Sequence, residues 1–444
     1  MQKKIIKTRN INISTKIPAP GTISLYKKLQ KIESRSMHGQ LPIAWSKAKN
    51  FSVFDLAGNK FIDFTSTIFV SNTGHSNNRI KKYLKKTINN DFIHSYAYIH
   101  ELRAKYLKEL IKFAGKNFHK AFLMSAGTEA TEAAFKLMRM YGQKKKKRRL
   151  GIICFDGNWH GRTMASQMMS GNLNQKKWVG YHDIDIHHLP FPYPWKIKKN
   201  DPEQFLLSSI KSLKKKLNLK RDICGVMIET FQGWGALFYP KKYIQLLEKI
   251  CRENDIIITF DEMQAGFSRT GKNFGYEHYD IKPDLICCGK GMGGGTALSG
   301  VIGKKSIMDL PEVGNMSSTN SANPLSCSAG LAVLEEIKNK NLTKKAQQNG
   351  IILHKKLKNI SQNYPNLFEV HGKGMIAALI FRKKIKNVEK KLRILVENCI
   401  SDGLLLVYTG RESIKLGPPL TITKSAIIEG VDIIERNIRK VFYD

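Results

Sequence analysis

The sequence predicts an open α/β sheet with helices on both faces, and three observations carry that expectation. Short apolar runs recur through the middle of the chain. Each is bounded by a polar or glycine-rich stretch, and stretches with apolar residues at helical spacing lie between them. The runs are apolar on consecutive residues rather than on alternate ones, as in strands buried on both faces.

Taken in order, "KAFLMS" (residues 120–125) reads as the first of these strands. Residues 128–141 follow with Ala130, Ala133, Ala134, Leu137, Met138 and Tyr141 at helical spacing. The alanines let this helix sit close to a sheet. "GIICF" (151–155), "CGVMIET" (224–230), "IIITFDE" (256–262) and "DLICCG" (284–289) read as further strands. Helical stretches near residues 202–217 and 240–254 separate them, the alternation of an α/β domain. From about Asn323 the pattern changes to a helix over 325–338, a second helix and a mixed α+β tail. The expected division is an N-terminal segment (1–64) packing with a small domain, a large domain (65–322) and a small C-terminal domain (323–444). A chain of 444 residues has room for two or three such units.

Hydrophobic content of 42% is ordinary for a globular protein. No run of 18 apolar residues occurs, so no transmembrane helix and no membrane partner are expected. The basic N-terminus "MQKKIIKTRNINISTK" lacks the apolar core and cleavage site of a secretory signal. The seven cysteines are scattered, with no C-x-x-C pair, which points to a reducing, cytoplasmic setting and free thiols. No metal is expected. The net charge of +38 raises a nucleic-acid role. However, the lysines are spread along the chain, and the densest run, "KKKKRR" (144–149), lies between a helix and a strand without interleaved aromatics. It reads as a solvated loop, and no nucleic-acid partner is expected.

In open α/β sheets, ligands bind at the carboxyl ends of the strands. Asp261, Glu229, Phe155 and Lys290 all fall at or just past such ends. Lys290 follows a buried strand and precedes "GMGGG". A desolvated amine has a lowered pKa and attacks carbonyls; alone, the same residue also reads as a loop lysine. Asp261 closes "IIITF" and reads either as a helix N-cap or as a buried carboxylate that needs a partner. "SAGTEA" (125–130) follows a strand and opens a helix, so Gly127 and Thr128 suit a phosphate or a plain cap. In "FDGNWHGRT" (155–163), Trp159 suits stacking on an aromatic ring and Arg162 a two-point grip on a carboxylate. Together these residues point to pyridoxal 5'-phosphate (PLP): lysine for a Schiff base, aspartate for the ring nitrogen, an aromatic face and a phosphate cradle.

At this point the sequence resembles the class III, PLP-dependent aminotransferases of fold type I, which include the 4-aminobutyrate, ornithine and acetylornithine enzymes. The resemblance runs from about "FSVFDLAGNKFIDFTS" to "GPPLTIT". It implies a large domain with a mostly parallel, seven-stranded-type sheet, plus a smaller α+β domain built from both chain ends. It implies Gly127 and Thr128 on the phosphate, Trp159 stacked on the ring with His160 beside it, and Arg162 on a distal carboxylate. Asp261 would pair with the pyridine nitrogen, Met263 would pack behind the ring and Gln264 would reach the phenolic oxygen. Lys290 would form the Schiff base and shuttle the proton. Thr319, in "SSTNSANP", would reach the phosphate of the neighbouring subunit of a homodimer. Ile68 would line the substrate pocket, with Glu229 also on the substrate side.

Two departures concern the substrate. Glutamate-specific members commonly have "QGEGG", whose glutamate gates an arginine for the substrate α-carboxylate. Here the stretch is "QGWGA", with Trp234 at that place. The gated arginine belongs in a segment resembling "R-x-x-PPL", and here "IKLGPPL" places Lys415 there. Arg411 lies four residues upstream, about 13 Å away in an extended chain. The expectation is therefore an aminotransferase with glutamate as donor through Arg162, and Lys415 meeting the α-carboxylate as a point charge. The second substrate is expected to be an ω-amine, or alternatively an amino sugar, packed on Trp234. Rival readings are an aminomutase, racemase or decarboxylase on the same fold and, from another class, a basic nucleic-acid-binding or scaffolding protein.

Overall fold

The structure is a computed structural model that describes residues 5–37, 39, 41–197 and 201–443. The first four residues of the basic N-terminal stretch lie outside the described residues.

Seven strands form the central sheet. From edge to edge they are Lys120–Met124, Ser299–Gly303, Leu285–Cys288, Ile257–Asp261, Ile223–Glu229, Gly151–Phe155 and Ile186–Leu189. Ser299–Gly303 pairs antiparallel with both of its neighbours, and every other pairing is parallel. The expected strands are all present, with ends shifted by a residue or two. Ile186–Leu189 and Ser299–Gly303 were not among the expected strands. The first is short and carries two half-buried histidines at a sheet edge. The second, "SGVIG", is framed by glycines that read as loop.

Interior strands such as Ile223–Glu229 and Ile257–Asp261 are buried along their whole length because helices cover both faces of the sheet. The helix Gly127–Lys144 lies against one face through the buried residues Ala130, Ala133, Ala134, Leu137 and Met138. Lys241–Glu253 covers the other face through Tyr243, Ile244, Leu247 and Cys251. All seven cysteines are free and buried.

The two ends of the chain meet. The strand Lys60–Asp63 pairs in parallel with Leu404–Leu405. A separate four-stranded sheet runs Phe368–Lys373, Ile376–Phe381, Ser413–Leu416, Val407–Tyr408. The helix Pro324–Asn339 packs on Asn78–Asn89 and Glu101–Ala114. Among the described residues no helix is long and apolar enough to cross a membrane.

Candidate active site

Strand register builds the centre of the cleft. Asp261 pairs with Glu229 on one neighbouring strand and with Cys287 on the other. Lys290 follows Cys287 by three residues, so three ionisable groups share one edge of the sheet. Lys290 sits at φ 47°, at the start of the short 3₁₀ turn Lys290–Met292. Burial lowers its amine pKa, against the pull of Asp261 and Glu229. One Asp261 oxygen lies 2.9 Å from His160 Nδ1, and the other accepts the Met263 amide at 3.0 Å. Glu229 accepts the amides of Trp159 at 2.9 Å and Gly233 at 3.3 Å. Burial, reinforced by the Asp261 charge, pushes its pKa up to about 8.

The surroundings fit a pyridoxal-type group. The helix Gly127–Lys144 begins at this edge, and Glu129 takes the amides of Ser125 and Ala126 at 2.9 and 2.8 Å. Met263 fills the space between Gly127 and Gly289. A Cβ added at either glycine would come within 2.9 and 2.6 Å of its sulfur, so a side chain there would displace the Met263 thioether. The Thr128 hydroxyl lies 2.6 Å from that of Thr163 and 2.7 Å from that of Ser166. A helix start with three clustered hydroxyls suits a phosphate. The buried Asp261 suits a protonated ring nitrogen, and the Lys290 amine suits a carbonyl carbon.

Several expected residues have contacts that the sequence did not indicate. His160 is paired with Asp261 behind the cleft, and its Nε2 is buried without a partner. Arg162 is exposed, with its guanidinium over the Trp159 ring at 4.5 Å. Thr319 is exposed, and its carbonyl lies 3.0 Å from His94 Nε2. Ile68 is 38% exposed and lines a separate cleft of about 550 Å³ with Trp45 and Tyr408. Ile68 belongs to the turn Ser66–Phe69, in which all four residues have positive φ without a glycine. The turn is clamped by Asp63, which accepts from Thr65 and Ser66, and by Ser66 Oγ donating to Gly417 O at 2.5 Å.

The substrate side is built from distant segments. Lys415 is buried; its Nζ donates to Gly233 O at 2.7 Å and Gln264 Oε1 at 2.9 Å, and lies over the Phe69 ring at 4.6 Å. Burial pulls its pKa down to about 7, with Glu229 opposing and Lys290 adding to the drop. Arg411 lies over the Trp234 ring at 3.6 Å and reaches both oxygens of Glu412 at 3.0 and 3.2 Å. Thr163, Ser166, Phe69 and Glu412 were missed from the sequence. The nearby signals were "HGRT", which contains Thr163, Ile68 beside Phe69 and Arg411 beside Glu412. No group of three or more His, Cys, Asp or Glu placed to hold a metal occurs among the described residues.

A family model described as "Aminotransferase class-III" matches residues 34–438. The mitochondrial acetylornithine aminotransferase of Saccharomyces cerevisiae is 31% identical over 408 residues, covering 89% of this chain and 91% of that protein. The leucine/methionine racemase of Thermococcus litoralis is 31% identical over 414 residues, 90% of this chain and 91% of that one. The crystal structure of the ornithine aminotransferase of Toxoplasma gondii, with partial PLP occupancy at its active site, superposes with a TM-score of 0.83. It is 21% identical and covers 95% of this chain and 94% of that one.

Proposed function

The chain belongs to the class III aminotransferases, PLP-dependent enzymes that transfer an amino group between a donor and an oxo acceptor, and we propose the following roles for its residues. The register of Asp261 with Glu229 and Cys287, which sets Lys290 on the same edge, carries this reading. Lys290 would hold the cofactor through its amine, and Asp261 would hold the ring nitrogen. Gly127 and Thr128, with Thr163 and Ser166, hold the phosphate. Trp159 and Met263 flank the ring, and Gln264 faces its phenolic oxygen. When bound, PLP supplies an electron sink for the carbon that loses its proton. Lys290 Nζ takes and returns that proton, helped by burial that lowers its pKa. His160 Nδ1 orients the Asp261 carboxylate, so the acceptor oxygen stays aimed at one place.

The donor in this reading is glutamate, its distal carboxylate gripped by Arg162. The second substrate is an ω-amine that packs on Trp234 and has no carboxylate beside the reacting carbon. The Arg411–Trp234 stack supports an apolar, cation-capped wall in place of a carboxylate gate. Glu229 completes the substrate side, and Ile68 is held beside it on the turn whose Phe69 ring meets Lys415. A single-turnover reaction of the PLP form with glutamate tests this. Arg162→Met should slow the glutamate reaction about a hundredfold, with little change for a monocarboxylate ω-amine. An unchanged glutamate rate, or alanine as the far better donor, sinks the assignment. The racemase relative favours one rival on the same fold. Conversion of the bound cofactor to its amine form by the donor alone separates the two.

The active unit is a homodimer in which Thr319 serves the partner's phosphate. Thr319 is exposed and is tied through His94 to a segment that exposes Ile93, Tyr98 and Ile99. An apolar patch of this kind fits a second copy of the chain. A fully active monomer in sedimentation would rule it out. Seven free, buried thiols support a cytoplasmic setting; a chain recovered only from another compartment would refute that.

A further inference from the structure

The two ends of the Gln264 carboxamide do opposite things: the oxygen accepts hydrogen bonds and the nitrogen donates them. Gln264 Oε1 accepts from Lys415 Nζ at 2.9 Å. Charged or neutral, the amine keeps the two N–H donors that Gly233 O and Gln264 Oε1 accept, so the oxygen end faces it and Nε2 is turned away. The lysine is itself held in place. It is 6% exposed, donates to Gly233 O at 2.7 Å and lies over the Phe69 ring. Gly233 makes room for the turned amide. A Cβ there would lie 2.5 Å from Gln264 Nε2 and 2.9 Å from Glu229 Oε1. Nε2 therefore lies on the Glu229 side, and Glu229 is the register partner of Asp261.

We propose that Lys415 is a positioning residue: it captures Gln264 Oε1 and thereby aims Gln264 Nε2–H at the phenolic oxygen of the bound cofactor. This rests on the cofactor and the Gln264 role proposed above. A carboxamide free to turn over would present its oxygen to that acceptor half of the time, and two facing acceptors repel. A fixed donor stabilises the ionised phenolic oxygen and so sets the pH at which the bound cofactor's absorption changes. Two Lys415 donors are already taken by protein oxygens. The residue is thus a weak grip for a carboxylate, in keeping with a substrate that carries none there.

The test is a visible-absorption pH titration of the PLP-loaded protein without substrate, with cofactor content measured in each variant. Lys415→Met should move the transition up by about one pH unit, and Gln264→Ala should do the same. The double variant should match Gln264→Ala alone. Lys415→Arg keeps its donors and offers no acceptor, so it should stay within a few tenths of a unit of wild type. Lys415→Leu takes the place of Lys415→Met if that variant does not fold. An unmoved transition overturns the inference. So do shifts that add in the double variant, because the lysine would then act only through its charge. Wild-type protein that binds no PLP removes the cofactor reading and this inference together, and the wild-type spectrum alone reveals that case.

Discussion

The two halves of the cleft are built differently. The Asp261–Lys290 half hangs from adjacent parallel strands, and register alone brings its groups together. The Trp234–Lys415 half joins a loop after the central sheet, a strand of the separate C-terminal sheet and a left-handed turn near the N-terminus. The first half depends on few degrees of freedom and, in the proposed mechanism, carries the chemistry. The second depends on several packing contacts, so it can change its contacts while the chemistry stays intact. Both family departures fall in this second half.

Removing chemistry from the first half should have the largest effect. Lys290→Ala should lower transamination by a thousandfold or more, on the order expected for losing a positioned proton carrier. Borohydride reduction of the wild type followed by peptide mapping should place the pyridoxyl group on Lys290. Label on another lysine would break the contrast between the halves. Asp261→Asn should retain PLP, measured by absorbance, and lose about a hundredfold in rate, because a neutral partner does not hold the ring proton.

The smallest expected effect is on stability and couples the two halves. The Glu229 pKa is raised from its ordinary 4.5 to about 8. The folded state thus holds a proton that the unfolded state has lost between those values. Stability is full below about pH 4.5 and falls as pH rises toward 8. Lys415 has the opposite sign. Its pKa is lowered from 10.5 to about 7, so its contribution grows as pH rises from 7 to 10.5. Thermal unfolding of the cofactor-free protein tests this through the difference between wild type and Glu229→Gln: between pH 5 and 8 the wild type should lose stability relative to the variant. A Glu229→Gln profile that runs parallel to wild type would show Glu229 to be uncoupled from folding.

Much of the first half was legible in the sequence. Asp261 and Lys290 each close an apolar run, and a buried strand that ends in a charged residue is conspicuous. The Asp261–His160 contact was hidden because the two residues lie a hundred positions apart, one at a strand end and the other in the loop after a different strand. The Ser66–Phe69 turn was hidden for another reason. "STIF" contains no glycine, and β-branched residues disfavour positive φ, so local propensity argued against the conformation the clamp imposes. The roles of Lys415 and Arg411 were also out of reach. Chain distance placed Arg411 near Lys415, whereas stacking on Trp234 and pairing with Glu412 decide where its guanidinium goes.

Sequence by itself determined the α/β sheet, the strand ends and the residue types gathered there, because period and punctuation act over a few neighbouring residues. Tertiary structure alone decided which end of Gln264 meets Lys415, what Lys415 holds and how Trp234 is capped. Those outcomes depend on hydrogen bonds and ring contacts between segments more than 150 residues apart, such as Lys415 with Gln264 and Gly233. No local pattern encodes such distances; only packing the two sheets together sets them.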